Sequence, residues 1–130
     1  MNSQNLSLVE QLMQGLKVGG TKGITQFLSE EIVYHNVPWP SVSGHQQVAE
    51  TLAPFIDNRE GGLESITIHH SISNKDVVMN SRDEIWVHQK VKIVLPVAGV
   101  FRIRNGKISR WTDYFDSGTL KPFLESVRGQ

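Results

Sequence analysis

An α+β fold is what this sequence predicts. Apolar residues recur at helical spacing as far as Ile56, four strand-like segments follow between Leu63 and Phe115, and a helical pattern returns at the end of the chain. A length of 130 residues fits one domain spanning 1–130 around one core, large enough to bury a cavity but not to hold separate cofactor and substrate domains.

Taken in order, Leu8, Val9, Leu12, Met13 and Leu16 stand at helical spacing and Gly19-Gly20 follow as a stop, which predicts an amphipathic first helix. A second short helix is expected over 21–29, with Ile24, Phe27 and Leu28 as its buried face. Residues 32–36 read as a short strand that ends before Pro38 and Pro40. Val48, Leu52 and Phe55 fall at i, i+4 and i+7 and predict a third helix over 44–56, ending in a polar segment at 57–62. Strands are expected over 63–73, 77–88, 90–103 and 107–115, joined by turn-forming residues at 73–76 and by Asn105-Gly106. Leu120, Phe123, Leu124 and Val127 predict a last helix over 119–127. No internal repeat, low-complexity tract or linker marks a second domain.

The register of the last hairpin decides which residues share a face with Asp113. A plain two-residue turn at Asn105-Gly106 sets Trp111, Asp113 and Phe115 beside Ala98, Val100, Arg102 and Arg104. A loop one residue longer, with Gly106 as a G1 bulge, sets them beside Val97, Gly99, Phe101 and Ile103. The bulge is favoured, because it joins Trp111 and Phe115 to an apolar stripe and leaves Arg102 and Arg104 on the outer face.

Composition narrows the function. With 13 Lys and Arg against 13 Asp and Glu, and no basic run longer than two residues, the chain lacks the electrostatic footprint of a nucleic-acid or anionic-membrane binder. It has no cysteine, hence no disulfide framework and no thiolate metal or redox chemistry, and Met1 is not followed by a basic and then apolar leader, so a cytoplasmic protein is expected. The apolar run from Val97 to Phe101 is far short of the ~20 residues that span a bilayer. The five histidines show no ligand spacing: His69 and His70 are adjacent and point to opposite strand faces, and His35, His45 and His88 lack a spaced carboxylate, so no metal is expected. Neither a glycine-rich phosphate loop nor a Gly-x-Ser-x-Gly elbow is present, and no cofactor is expected.

Arg82, Glu84 and Asp113 carry the chemistry. Arg82 and Glu84 lie two apart on a strand and share one face, while Asp83 points to the other. Two carboxyls bridged by a guanidinium in a dry pocket can hold different protonation states, one as base and the other as acid. Such a set suits proton removal from water concerted with proton delivery to a leaving oxygen, as in epoxide opening. The same Arg-x-Glu spacing also fits a solvated face or a cross-strand ion pair, so both readings stand on spacing alone. Tyr34 and Asn36 form a second i, i+2 polar pair that could hold a water through a hydroxyl and an amide, or simply cap a strand end before a proline turn.

Tyr34-His35-Asn36-Val37-Pro38-Trp39-Pro40, then Arg82-Asp83-Glu84, then Gly99-Val100-Phe101 running through Asn105-Gly106-Lys107-Ile108 to Trp111-Thr112-Asp113-Tyr114-Phe115-Asp116, resembles the limonene-1,2-epoxide hydrolase family. The similarity runs from Ile32 to Asp116, and its specific parts are the Trp-x-Asp-Tyr-Phe-Asp and Tyr-x-Asn-x-Pro-x-Pro segments. The resemblance implies a cone-shaped α+β fold like nuclear transport factor 2, with a curved, mostly antiparallel sheet and N-terminal helices packed over its concave face. It implies Asp113 as the base that takes a proton from water, Tyr34 and Asn36 as the groups that position that water, and Arg82 as the link between the carboxyls. Glu84 falls where the family pattern has the aspartic acid that protonates the epoxide oxygen, an added methylene being the one departure.

The substrate pocket is then expected to draw Leu95, Val97, Phe115 and Trp86 from the sheet, with Trp39 near the mouth. The expected activity is hydrolysis of a small apolar epoxide by water, with no cofactor. Two rivals remain open: an isomerase or polyketide-cyclase type enzyme with Asp113 as a lone base, and a non-catalytic ligand-binding module of the same fold. Ile85 and Val87, taken as exposed on the outer sheet face, predict a homodimer through that face.

Overall fold

The computed structural model describes residues 3–129. Two helices, α1 (Ser3–Val18) and α2 (Gly20–Thr25), open the chain, followed by strands β1 (Leu28–Val37) and β2 (Val42–Ser43) and helix α3 (Gly44–Ile56). Strands β3 (Gly61–Asn74), β4 (Val77–His88), β5 (Val91–Arg104) and β6 (Lys107–Phe115) come next, and α4 (Ser117–Val127) closes the fold. The six strands form one curved sheet in the order β2-β1-β6-β5-β4-β3, antiparallel throughout except where β1 runs parallel to β6. This is the α+β arrangement expected from the sequence.

Alternation along the two central strands defines the layers. On β4, Val78, Asn80, Arg82, Glu84, Trp86 and His88 are buried while the residues between them are partly or fully exposed. On β5, Leu95, Val97, Gly99, Phe101 and Ile103 turn inward. α1 packs on β3, α3 on β1 and α4 on β5, so helices cover this inner face and the core lies between the two layers. Among the described residues no helix is long and apolar enough to cross a membrane.

Several boundaries differ from the expected ones for local reasons. α2 stops at Thr25, not residue 29, and Leu28 belongs to β1 rather than to a helix face. The Ile108 amide already donates to the Phe27 carbonyl at 2.9 Å, so pairing with β6 captures the chain before a third helical turn can form. Leu28 is buried as a strand residue, and a register shift between Leu28 and Val33 separates this early pairing from the main ladder. α4 begins two residues earlier than its apolar pattern, because Asp116 caps it by accepting from the Gly118 amide at 2.9 Å and the Thr119 hydroxyl at 3.2 Å.

The last hairpin has the expected facing by a different route. Asn105 and Gly106 both adopt positive φ, 53° and 76°, and form a tight two-residue turn that pairs Arg104 with Lys107. The extra residue is not Gly106 but Ser109, which slips the ladder between the pairs Ile103–Ile108 and Arg102–Arg110. Beyond that bulge Trp111, Asp113 and Phe115 oppose Phe101, Gly99 and Val97, and Arg102 and Arg104 are exposed. Ile85 and Val87 do point outward but are half-buried, since both sit on an interior strand flanked by β3 and β5. Among the described residues, the large apolar side chains exposed on the sheet are Ile72, Met79, Val94 and Tyr114.

Candidate active site

A pocket of about 70 Å³ opens between the inner sheet face and the helices. Arg82 lies behind two of its lining residues, Glu84 and Asp113, and is only 1% exposed although it carries a full charge. Burying an isolated ion costs on the order of several kcal/mol, so the surrounding groups must offset it. Its planar fork is met on three sides: Nε donates to Glu84 Oε2 at 2.8 Å, Nη1 donates to Asn80 Oδ1 at 2.8 Å, and Nη2 lies 2.9 Å from Asp113 Oδ2. The last approach is a charge contact rather than an aligned hydrogen bond, since Nη2 has no partner of hydrogen-bond geometry. Phe101 faces the guanidinium from 6.0 Å.

Strand geometry alone aligns most of this set. Asn80, Arg82, Glu84 and Trp86 are successive inward positions of β4, and each touches the next: the Trp86 indole N–H donates to Glu84 Oε1 at 2.9 Å, completing an unbroken chain of hydrogen bonds along one strand. Asp113 reaches Arg82 from two strands away because only Gly99 stands between them in the β5 position opposite Asp113. Tyr34 and Asn36 arrive through the parallel joint, where β1 pairs Tyr34 with Trp111 and Asn36 with Asp113. The Asn36 amide donates to the Tyr34 hydroxyl at 2.9 Å, and the Tyr34 ring stacks at a tilt 4.3 Å from Trp111.

Burial pushes the Asp113 carboxyl upward in pKa; Arg82 opposes that shift and Glu84 adds to it. Hydrogen bonding from Arg82 and from the Trp111 indole, short of aligned geometry, also works against the rise, without overcoming burial. The Tyr34 phenol is raised by burial and by the charge on Asp113, so it stays neutral and keeps an O–H to donate. For Arg82, burial acts downward, but Asp113 and Glu84 outweigh it, so the guanidinium stays protonated.

The pocket brings together nearly all the residues singled out in the sequence. Tyr34, Asn36, Glu84 and Asp113 line it, Arg82 stands behind Glu84 and Asp113, and Leu95, Val97 and Trp86 form the sheet wall. Trp39 lies at the rim, past the cis Val37–Pro38 bond, edge-on to Phe115 at 5.5 Å. Asp83 points away and meets His69 at 3.1 Å on the outer face. Sequence reasoning missed Asn80, Trp111 and the helical lid residues Leu52, Phe55, Phe123 and Leu124. Asn80 was legible as the next inward position of the 80-82-84 polar series, whereas the lid depends on how the helices dock. Among the described residues no group of three or more His, Cys, Asp or Glu side chains could hold a metal ion.

Residues 3–124 match the limonene-1,2-epoxide hydrolase catalytic domain. The chain belongs to the limonene-1,2-epoxide hydrolase family. Epoxide hydrolase EphG of Mycobacterium tuberculosis is 27% identical over 108 residues, covering 83% of this chain and 70% of that protein. The solved structure of a limonene-1,2-epoxide-hydrolase-like epoxide hydrolase from M. tuberculosis superposes with a TM-score of 0.79 at 22% identity, covering 98% of each chain. A Bacillus subtilis protein provisionally called an isomerase superposes with a TM-score of 0.81 at 17% identity, over 100% of this chain and 98% of the other. Similarity to these two structures establishes the fold, and membership of the limonene-1,2-epoxide hydrolase family supports epoxide hydrolysis at the level of the family.

Proposed function

We propose that the protein adds water to a small apolar epoxide in one step and releases a vicinal diol. The observation that carries this reading is the seating of one buried guanidinium between two buried carboxyls at one pocket, 2.8 Å from Glu84 and 2.9 Å from Asp113. With both acids ionised the trio has a net negative charge in an enclosed site, which favours retention of one proton by the pair. The reaction as proposed uses the arrangement with that proton on Glu84 and the charge on Asp113, which runs against the direction in which burial pushes Asp113.

Water held by Tyr34, Asn36 and Asp113 attacks an epoxide carbon. As the new C–O bond forms, Asp113 takes a proton from the water, the strained C–O bond breaks, and Glu84 gives its proton to the departing ring oxygen. Return of a proton from Asp113 to Glu84 through solvent restores the starting state. The upward push on Asp113 makes it a better base than an exposed aspartate. A narrow pocket walled by Trp39, Trp86, Leu95, Val97 and Phe115 favours a small apolar substrate. A lone-base isomerase has no use for a cation linking two acids, so the position of Arg82 speaks for hydrolysis.

The reading is tested by single turnover of cyclic and linear epoxides in ¹⁸O-labelled water. Label is expected in the diol after one turnover and not in the protein. Asp113→Asn and Arg82→Lys are expected to lose diol formation while circular dichroism shows an intact fold. Full activity in Arg82→Lys refutes the bridging role, and passage of label through the protein refutes the one-step route.

We infer as well that two copies associate through the outer sheet face. Val94, Pro96 and Ala98 are exposed there along β5, and exposed Tyr114 pairs with Ala98 from β6. A contiguous apolar surface of this kind is what a symmetric interface buries.

A further inference from the structure

We propose that Trp86 is a positioning residue for the proton donor: its indole N–H holds Glu84 at the angle from which the carboxyl serves the epoxide oxygen. The role rests on the hydrolytic reading above and adds to it a residue that would otherwise pass for pocket wall.

Two donors grip Glu84 from opposite sides. Arg82 Nε takes Oε2 at 2.8 Å and Trp86 Nε1 takes Oε1 at 2.9 Å, and all three residues hang from alternate positions of the same strand. A carboxyl anchored through one oxygen can pivot about that contact, whereas one anchored through both has its plane fixed. The second anchor matters more for a glutamate than for an aspartate, because the extra methylene adds a rotatable bond between backbone and carboxyl. The indole is itself immobile: it is buried, and its ring packs on Phe123 of α4 with centroids 5.2 Å apart at 49°. Position therefore passes from helix α4 through Phe123 and Trp86 to the acid.

Trp111 lines the same pocket and its indole N–H acts on Asp113 without reaching aligned hydrogen-bond geometry, whereas the Trp86 indole meets Glu84 in an aligned bond of 2.9 Å. An aspartate at position 84, one methylene shorter, is expected to give up one of the two anchors, and the charged Arg82 is the stronger one to keep. Trp86 and Glu84 thus form a matched pair.

A double-mutant cycle separates the clamp from a simple wall. Trp86→Phe is expected to lower kcat by about 10-fold to 100-fold with KM little changed, as for other misplaced reacting groups. In a Glu84→Asp background the same Trp86→Phe change is expected to alter kcat by less than about threefold, because the bond it removes is already gone. Equal losses in the two backgrounds, or a loss confined to KM, overturn the proposal. A second measurement decides the matter even where Glu84→Asp turns over too slowly to assay. In protein carrying ¹⁵N-tryptophan, the indole resonance missing from Trp86→Phe belongs to Trp86, and it is expected to move upfield in Glu84→Gln. A resonance unmoved in folded Glu84→Gln overturns the clamp while leaving hydrolysis untouched. A resonance that moves in Glu84→Gln, together with a wild-type protein that turns over no epoxide, overturns the hydrolytic reading instead.

Discussion

Gly99 stands directly opposite Asp113 across the β5–β6 ladder, and the space where its side chain would be is occupied by the contact between Arg82 and Asp113. A β-carbon at Gly99 would lie 2.5 Å from Arg82 Nη1, 2.9 Å from the Phe101 ring and 3.0 Å from Asp113 Oδ1. Its backbone does not demand glycine by a positive φ; the need is for room.

Gly99→Ala is accordingly expected to push the guanidinium off Asp113 without changing any reacting group. Displacement on this scale costs about 10²-fold in rate, and overpacking a closed site costs about 1–3 kcal/mol in stability. Steady-state kinetics and urea unfolding on the same preparation check both. Wild-type activity in Gly99→Ala shows that the Arg82–Asp113 contact does not govern turnover.

The raised proton affinity of Asp113 has a signed consequence for stability. Its ordinary value is 3.8 and burial lifts it in the folded state, so the native protein holds this proton more tightly than the unfolded chain. The stability due to Asp113 is full at pH below the unfolded value and declines as pH rises towards and through the folded one. Asp113→Asn removes that decline and leaves one cation beside one anion. Urea midpoints of the variant are expected to gain on wild type from about pH 4 upward and then level off. The same shift predicts that wild-type kcat/KM falls on its acid side above the range of an ordinary carboxylate. Parallel stability curves for the two proteins contradict both statements.

Much of this site could be seen in the sequence because strands are simple. Period-2 spacing set Arg82 and Glu84 on one face, and the need to match Trp111 and Phe115 to an apolar stripe chose the facing of Asp113 correctly even though the bulge falls at Ser109 rather than Gly106. The parallel joint between β1 and β6 was not visible in this way. It unites residues far apart in the chain, and no local pattern records that Asn36 will stand beside Asp113; only the family resemblance brought the two together. The same limit hid β2 and the strand character of Leu28, both of which form through pairing with distant partners rather than through intrinsic preference. The indole bond of Trp86 depends on a side-chain rotation fixed by α4 packing, and spacing is silent about it.

The outer face offers a test of assembly. Val94 is exposed at the middle of the sheet, where a lysine can be placed without entering the core. If two copies meet there, Val94→Lys puts like charges into an apolar contact and is expected to weaken association by at least about tenfold. Light scattering across a dilution series should give a dimer mass for wild type and a monomer mass for the variant. A wild-type monomer at every concentration eliminates the proposed interface.

Tyr34 separates water activation from a lone base. Its hydroxyl accepts from the Asn36 amide and its pKa is raised by burial beside Asp113, so a neutral O–H remains free to orient a water molecule. Tyr34→Phe keeps the ring that packs 4.3 Å from Trp111 and deletes only that oxygen, so most of the local packing survives. The cost in stability is expected to stay near one hydrogen bond, about 1 kcal/mol. The cost in activity is expected to be larger, about 10-fold to 100-fold in kcat, because the water loses a donor that aligns it for attack. Substrate affinity should change little, since the hydroxyl is aimed at the water and the apolar wall is left in place. An enzyme in which Asp113 abstracts a proton from carbon has no water to orient, and its turnover would survive Tyr34→Phe unchanged. Rates for Tyr34→Phe on an epoxide substrate, with unfolding measured alongside, therefore decide whether the oxygen at position 34 serves the reaction or only the fold.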